Sequence, residues 1–495
     1  MKPPLLECAA RSELPLPGSP VVPVSVADET RFAREALAHL PLAEATLLLW
    51  QQIADPTFLQ SLFARHRGRC YQKALSFPSL VQLLADALLQ HDGSARASFE
   101  RALQDGALPV TIPAAYGKLR RVPIALSGAF LTAGTARLRE LLPVRPAITL
   151  PASLRAFRVT VLDGKAIKRV AKRLKLLRGI QGGLLGGKAL VALELNSGLA
   201  VAMCAHPDGE CNELRLVPEL VPLVRAQRPE PRLWVGDRQF CDLEQTGRFA
   251  VADDHFVVRY HPKVHFHPDP TRGVRHGTDG AGRPYSDHWG WLGGTQDRRR
   301  RYVRRITLER PGEETLILVT DLVDAARYPA VEVLAIYLAR WGIERVFQQI
   351  TEVFPLKRLI GGSAQAGIFQ LAFCLLLYNL IHVLRAYVAA AEQGEPEDVS
   401  LEKLFADVER ELIAWSVLVK PAATVAAFAD VPGVAQVQQR LTQLLGQVWQ
   451  DRWLRAVNEK PRPHRRGNRA SRSHTSVHRI LEDHRRKHKA LQTLK

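Results

Sequence analysis

The sequence predicts an α/β protein: a mixed sheet with helical regions before and after it in the chain. Three observations predict this. Short β-branched runs separated by turn residues fill 157–236, and apolar residues recur three and four apart before Leu142 and after Pro329. A second set of β-type runs lies between 256 and 321.

Taken in order, residues 1–30 are rich in proline and lack periodicity, so they read as a loose arm. Residues 31–150 carry helical spacing, as in Ser79–Leu89 and Ala136–Leu142, and are expected to form a helical DNA-binding domain. After Pro143 and Pro146 the pattern changes. Phe157–Leu162 reads as a strand running into Asp163, and Lys188–Leu195 and Leu199–Met203 flank the turn Asn196-Ser197-Gly198 as a hairpin. A helix within 212–225, shortened or kinked by Pro218 and Pro222, precedes the buried strand Arg232–Gly236, which ends at Asp237. Three antiparallel strands, a helix, and a fourth strand returning beside the first is the order of a ribonuclease-H-like core. Parallel pairing of the fourth strand with the first would set Asp163 and Asp237 side by side. This catalytic domain is expected over 151–390, with a β-rich insertion at about 256–321 built from Phe256–Tyr260, Tyr302–Leu308 and Thr315–Thr320. A helical region over 391–458 and a basic tail over 459–495 complete the chain, the tail reading as a disordered interaction segment.

Lys and Arg total 68 against 49 acidic residues, a net charge of +19 in 495 residues, and this surplus points to a polyanionic partner. The six cysteines form no CxxC pair, so neither a zinc ribbon nor a disulfide framework is indicated and a cytoplasmic setting is expected. No secretory leader pattern opens the chain. The apolar stretch Ile368–Leu384 contains Gln370, Asn379 and His382, and reads as a buried helix rather than a membrane span.

Asp163 and Asp237 each follow a hydrophobic strand. Tyr337, Arg340 and Glu344 are spaced by three and four, which places them on one helix face. Taken singly these are ordinary turn and surface positions. Two aspartates on adjacent strands with a glutamate on a packed helix make an oxygen-only site for two hard divalent cations. Two such ions about 3.5–4 Å apart activate water or a 3′-hydroxyl and stabilise the leaving oxygen of a phosphodiester. Arg340 and Tyr337 would grip phosphate beside them.

The stretches Val161-Leu162-Asp163-Gly164, Trp234–Phe240, Val319–Leu322 and Tyr337–Phe347 resemble the insertion sequence 4 family of bacterial DDE transposases. The last is similar to that family's Tyr-x2-Arg-x3-Glu-x6-Lys signature. The resemblance implies a ribonuclease-H-like core with a β-rich insertion, magnesium dependence (two Mg2+ ions, for which Mn2+ can substitute), and cut-and-paste movement of an element with terminal inverted repeats. It also implies Asp163, Asp237 and Glu344 as catalytic metal ligands and Tyr337 and Arg340 as phosphate contacts. The implied partner is double-stranded DNA, both element ends and target, bound by a dimer, with no membrane role. The chain departs from the signature at Thr351, where the family has lysine; Lys357 and Arg358 lie beyond Pro355, which should end or kink the helix.

Further DNA contacts are expected from Lys165, Lys168 and Arg238 near the site, and from Arg299, Arg300 and Arg301 within the run Arg298–Arg301, with Arg304 and Arg305 close by. Arg169, Lys172, Arg173 and Lys175 extend the first group. Trp289 and Trp291, two apart on a strand, suit core packing better than stacking on a displaced base. His261, His265, His267 and Cys241 lack a zinc spacing. Two rival readings stay open: a ribonuclease-H-like nuclease without strand transfer, and an inactive DNA-binding descendant of a transposase.

Overall fold

A computed structural model describes residues 26–89, 94–143, 150–168, 175–178, 180, 183–352, 362–419, 424, 427–428, 432–455 and 474–493. The proline-rich arm therefore lies outside the described residues up to position 25. Among the described residues seven helices come first: α1 (Val26–Leu37), α2 (Pro41–Ala54), α3 (Pro56–His66), α4 (Phe77–Leu89), α5 (Ala95–Gln104), α6 (Ile112–Leu119) and α7 (Ile124–Glu140). Local chemistry sets several starts. Asp55 accepts the Phe58 N–H at 2.6 Å and Pro56 follows it, so α3 begins there.

The sheet region comprises β1 (Arg158–Lys168), the short α8 (Lys175–Arg178), β2 (Gly183–Glu194), β3 (Leu199–His206), α9 (Val217–Arg225), β4 (Arg232–Gly236), α10 (Leu243–Phe249) and β5 (His255–Arg259). It continues through β6 (Phe266–Pro268), β7 (Arg275–Thr278), β8 (Pro284–Leu292), β9 (Arg301–Leu308) and β10 (Leu316–Thr320). Helices α11 (Ala330–Ala339), α12 (Trp341–Glu352), α13 (Ala364–Ala391), α14 (Leu401–Leu418) and α15 (Val434–Leu445) follow, then β11 (His474–Ser476) and α16 (Val477–Thr493).

All the strands join one mixed sheet in the order β11-β2-β1-β4-β5-β10-β9-β8-β6, with β3 sharing the outer edge of β2 with β11, and β7 paired to β8. The β1–β2 and β2–β3 pairs are antiparallel, whereas β1–β4 and β4–β5 are parallel. Gly198 makes the β2–β3 turn at φ +69°, a conformation in which a Cβ is penalised. Alternation of side chains assigns the faces. Val159, Val161, Leu233, Val235 and Val257 enter the larger core, while Leu162, Trp234, Phe256 and Val258 enter a second core beneath α9 and α10.

Helix α13 anchors the first face. It is long and apolar enough to cross a membrane, yet that stretch is wholly buried inside the protein. Its Asn379 explains why a polar residue sits there: Oδ1 accepts the Ala200 N–H at 2.9 Å, and Nδ2 donates to the Ala200 carbonyl and to Thr135 Oγ1. The helix is thereby pinned to both β3 and α7.

The structure adds three particulars to these expectations. Helices α2, α7, α13 and α14 pack into one core with the sheet. The β-rich stretch expected at 256–321 continues the core sheet outward, β5 pairing with β4 and β10 with β5. Part of the expected basic tail is ordered, β11 adding in parallel to β2 at Gly183–Leu185 and leading into α16. Unsatisfied edge groups of β2 explain this addition, because a bare edge offers the same hydrogen bonds to any strand that reaches it.

At the end of β4 and β5 remote from Asp237, Asp321 accepts the Phe256 N–H at 2.8 Å and lies 3.0 Å from His255 Nδ1. This hydrogen bond holds the His255 pKa above its ordinary value. A raised histidine contributes stability that is complete below about pH 6.5 and lost as pH rises through the folded-state value. Urea midpoints measured between about pH 5.5 and 8.5 should fall over that window in the parent protein, and Asp321→Asn should flatten the fall.

Candidate active site

The register between β1 and β4 brings the two aspartates together. The last parallel partners are Val161 and Val235, and each aspartate lies two residues beyond its valine. Both therefore continue the alternation that points Val161 and Val235 into the larger core, toward the helices rather than toward α9. Strand β4 stops because Asp237 Oδ1 accepts the Gln239 N–H at 2.9 Å and opens a 3-10 turn. Strand β1 does not stop at Asp163, as the sequence suggests, but runs on beside β2 to Lys168.

Gly164, which faces the other way, exposes a residue that the sequence reading missed. A Cβ at this position would stand 1.8 Å from Glu213 Oε2. Glu213 is buried just before α9, and its carboxylate is paired with Lys188 Nζ at 2.6 Å. A glycine inside a strand next to a candidate ligand was the available signal, because such glycines mark close approach of another group.

The third carboxylate arrives from the helices. The chain passes from α11 to α12 at Arg340, whose N–H bonds the Tyr337 carbonyl at 3.0 Å while Ile343 N–H bonds Arg340 O at 3.1 Å. These i to i−3 bonds interrupt the single helix expected from the 337, 340, 344 spacing. The three side chains stay together nevertheless. Arg340 Nη2 donates to Glu344 Oε1 at 2.9 Å, with Arg340 only 8% exposed and Glu344 40%. The guanidinium lies 5.7 Å from the Tyr337 ring.

Electrostatics tie the helix groups to the strand groups. Burial pushes the Asp163 carboxyl up to about 7; Arg340 opposes the rise, and Asp237 and Glu213 add to it. Burial also raises the buried Tyr337 phenol, again against Arg340. Lys165, on the same face of β1 as Asp163, brings Nζ to 3.4 Å from the Phe347 carbonyl and 5.2 Å from that ring. Thr351 Oγ1 donates to the same carbonyl at 2.6 Å. A lysine on β1 thus stands beside the helix position where the signature has its own lysine.

Among the described residues no three His, Cys, Asp or Glu side chains stand as a preassembled metal cage. Glu344 is instead held by Arg340. The donor chemistry fits a hard divalent cation: the groups offer oxygen only, and a cation would relieve both the burial of Asp163 and its repulsion by Asp237.

The other expected DNA contacts are dispersed. Lys168 is exposed at the end of β1. Arg238 is bound to Glu314 at 2.5 Å, and Glu314 also holds Arg259 at 2.8 Å. Arg298 is exposed, as are Arg299, paired with Asp297 at 3.1 Å, and Arg300, which lies 4.5 Å over the Trp291 ring. Arg301 begins β9 and is half-buried. Arg304 is no surface cation: it is fully buried, with Nη2 2.5 Å from Asp287 and Nη1 bonded to the Tyr328 carbonyl. Arg305 packs 4.4 Å over Phe266. Trp289 is buried and donates to Val323 O at 2.8 Å, whereas Trp291 is 37% exposed. Arg169, Lys172, Arg173, Lys357, Arg358 and the Lys175 side chain lie outside the described residues.

Comparison with known proteins bears on the span that holds these residues. Residues 157–380 match the family described as Transposase DDE domain, a span that holds Asp163, Asp237 and Glu344. Over that span the chain is similar to transposase DDE domains. Over 81 residues, 16% of the chain, it is 32% identical to "Putative transposase y4zB" of Sinorhizobium fredii (strain NBRC 101917 / NGR234); the match spans 22% of that protein's length. A solved structure, "Cryo-EM structure of piggyBac transposase synaptic complex with hairpin DNA (SNHP)", is similar over 87% of this chain and 79% of that one. Its TM-score is 0.33 at 10% identity, a likeness too weak to assign a fold.

Gly164→Ala should displace Glu213 from its Lys188 pair, because the added carbon meets a carboxylate locked in place. Overpacking of this kind costs about 1–3 kcal/mol. A urea midpoint unchanged from the parent would show that Glu213 swings aside freely.

Proposed function

We propose that this protein is a DNA transposase of an insertion sequence, of the insertion sequence 4 type, that cleaves and rejoins DNA at terminal inverted repeats. The observation that carries the reading is the register of β1 on β4, which brings Asp163 and Asp237 to one level and one face, beside the helix junction bearing Arg340 and Glu344. The order β3-β2-β1-β4-β5, antiparallel then parallel, supports a ribonuclease-H-like core for residues 151–390.

Asp163, Asp237 and Glu344 would hold Mg2+, two ions by the chemistry of the reaction, with Mn2+ as a substitute. When bound, the metal supplies a Lewis acid for the attacking and leaving oxygens of a phosphodiester. The residues of the chain itself supply orientation. Arg340, ordered by Glu344 and set over Tyr337, is placed to grip a phosphate oxygen next to the reacting centre. Lys165 supplies from β1 the cation that Thr351 does not, so strand positioning survives the departure from the signature. The partner is double-stranded DNA, element ends and target, with two ends held by a dimer in the cytoplasm.

Asp163→Ala, Asp237→Ala and Glu344→Ala should each lower cleavage of an end-bearing duplex by on the order of a thousandfold, since metal stabilisation is worth several kcal/mol. Binding of the same duplex should change little. Supplying a 3′-hydroxyl end and a target duplex should yield joined products; hydrolysis with no joining would identify a nuclease instead. Lys165→Ala should raise the KM for end DNA about tenfold, the worth of one charge-assisted contact. Thr351→Lys added to that variant should recover the loss, and a KM unmoved by Lys165→Ala would remove Lys165 from the site.

A further inference from the structure

We infer that α16 is a DNA-binding arm, fastened to the β1–β2 extension and presenting a basic helix to the phosphate backbone of the duplex engaged at the Asp163–Asp237 site. The choice of DNA rests on the functional reading above; the arm itself rests on separate observations.

The first half of the helix is an anchor. Val477 is buried and Ile480 and Leu481 pack on the larger core, three residues spaced for one helical face. Polar contacts reinforce the attachment. Ser476 N–H donates to Glu210 Oε1 at 2.8 Å, the Gly209 N–H donates to Ser476 Oγ at 3.1 Å, and Arg479 pairs with Asp208 at 2.9 Å and with Glu210. The strand before the helix, β11, is hydrogen-bonded along β2.

The middle of the helix faces water. All six residues from Asp483 to His488 are exposed, and they read Asp-His-Arg-Arg-Lys-His. Burial of an apolar face is what ordinarily holds a surface helix, and these six positions carry no apolar side chain, which suits a stretch completed by a partner. The partner is anionic. Arg485, Arg486 and Lys487 outnumber Glu482 and Asp483, and among the described side chains Arg485 pairs with Glu482 at an exposed 3.4 Å. His484 and His488 stand with ring centres 4.7 Å apart. A lipid surface suits the stretch Asp483–His488 poorly, because its six residues are all polar or charged, and the apolar Val477, Ile480 and Leu481 before it are turned to the core rather than free to enter a bilayer.

Location selects the duplex. Strand β11 pairs with β2 at Gly183–Leu185, and Leu185 pairs with Lys168 of β1, five residues past Asp163. Five strand residues span about 17 Å, and a 17-residue helix is about 25 Å long. Both aspartates and the start of the arm lie at the same end of the sheet, and the length of the helix is enough for its cations to reach a duplex seated on the carboxylates.

The test uses the full-length protein and two labelled duplexes, one with an element end and one of unrelated sequence, followed by fluorescence anisotropy across a salt series. In Arg485→Gln/Arg486→Gln/Lys487→Gln, affinity for both duplexes should fall at least about tenfold, and the slope of log affinity on log salt should shrink by about 2–3, near 0.9 for each lost phosphate contact. The urea midpoint should stay that of the parent, since all three side chains are solvent-exposed. Arg479→Glu, which breaks the anchor but keeps the three cations, should weaken binding as well. An unchanged slope in the triple variant overturns the inference, and so does a parent protein that binds neither duplex; loss of binding only to an acidic protein would reassign the arm. The two readings fail separately: a reduced slope with a parent that cleaves no DNA sinks the enzyme but keeps the arm, and active cleavage with an unchanged slope does the reverse.

Discussion

The parallel pairing of β1 with β4 in one particular register is the constraint on which the molecule turns. Side chains alternate along a strand, so a slip of one residue would carry Asp163 or Asp237 to the opposite face, away from Arg340 and Glu344. Burial on both sides resists that slip: Val161 and Val235 belong to one core while Leu162 and Trp234 belong to the other. Asp254 fastens the start of β4. It accepts the Arg232 N–H at 2.8 Å and the Trp234 indole N–H at 3.0 Å while paired with Arg225 at 2.7 Å.

The site sits at odds with the stability of the scaffold around it. A carboxyl pushed up to about 7 by burial is a group whose charge the fold opposes. Gly164 gives up strand propensity so that the Glu213–Lys188 pair can lie against it. Arg340 interrupts a helix. Local compromises concentrated at one place are characteristic of functional sites, where chemistry rather than packing dictates the residue.

Charge behaves differently in the tertiary structure than it does in a count. Several of the arginines behind the +19 are spent internally: Arg304 on Asp287, Arg238 and Arg259 on Glu314, Arg340 on Glu344. Cations facing water include Arg298–Arg300 and Arg485–Lys487. A basic composition names the kind of partner, and burial decides which residues meet it.

The sequence by itself determined the local elements and the chemistry they carry. Period-two runs marked β1 through β5, β9 and β10; three-and-four spacing marked α11 to α13; and the residue types at 163, 237, 337, 340 and 344 were readable because side-chain direction follows from backbone period alone. Strands β6 and β7 escaped notice, being short and interrupted by Gly and His, and β8 was legible only around Trp289 and Trp291. Only the tertiary structure decided that the N-terminal helices share a core with the sheet, that β5 and β10 extend it, that Arg304 is buried, that Glu213 stands behind Gly164, and that β11 closes on β2. Each of these depends on contacts between residues tens to hundreds of positions apart. No local propensity encodes such contacts, because they are set by which surfaces remain to be buried once the first elements have formed.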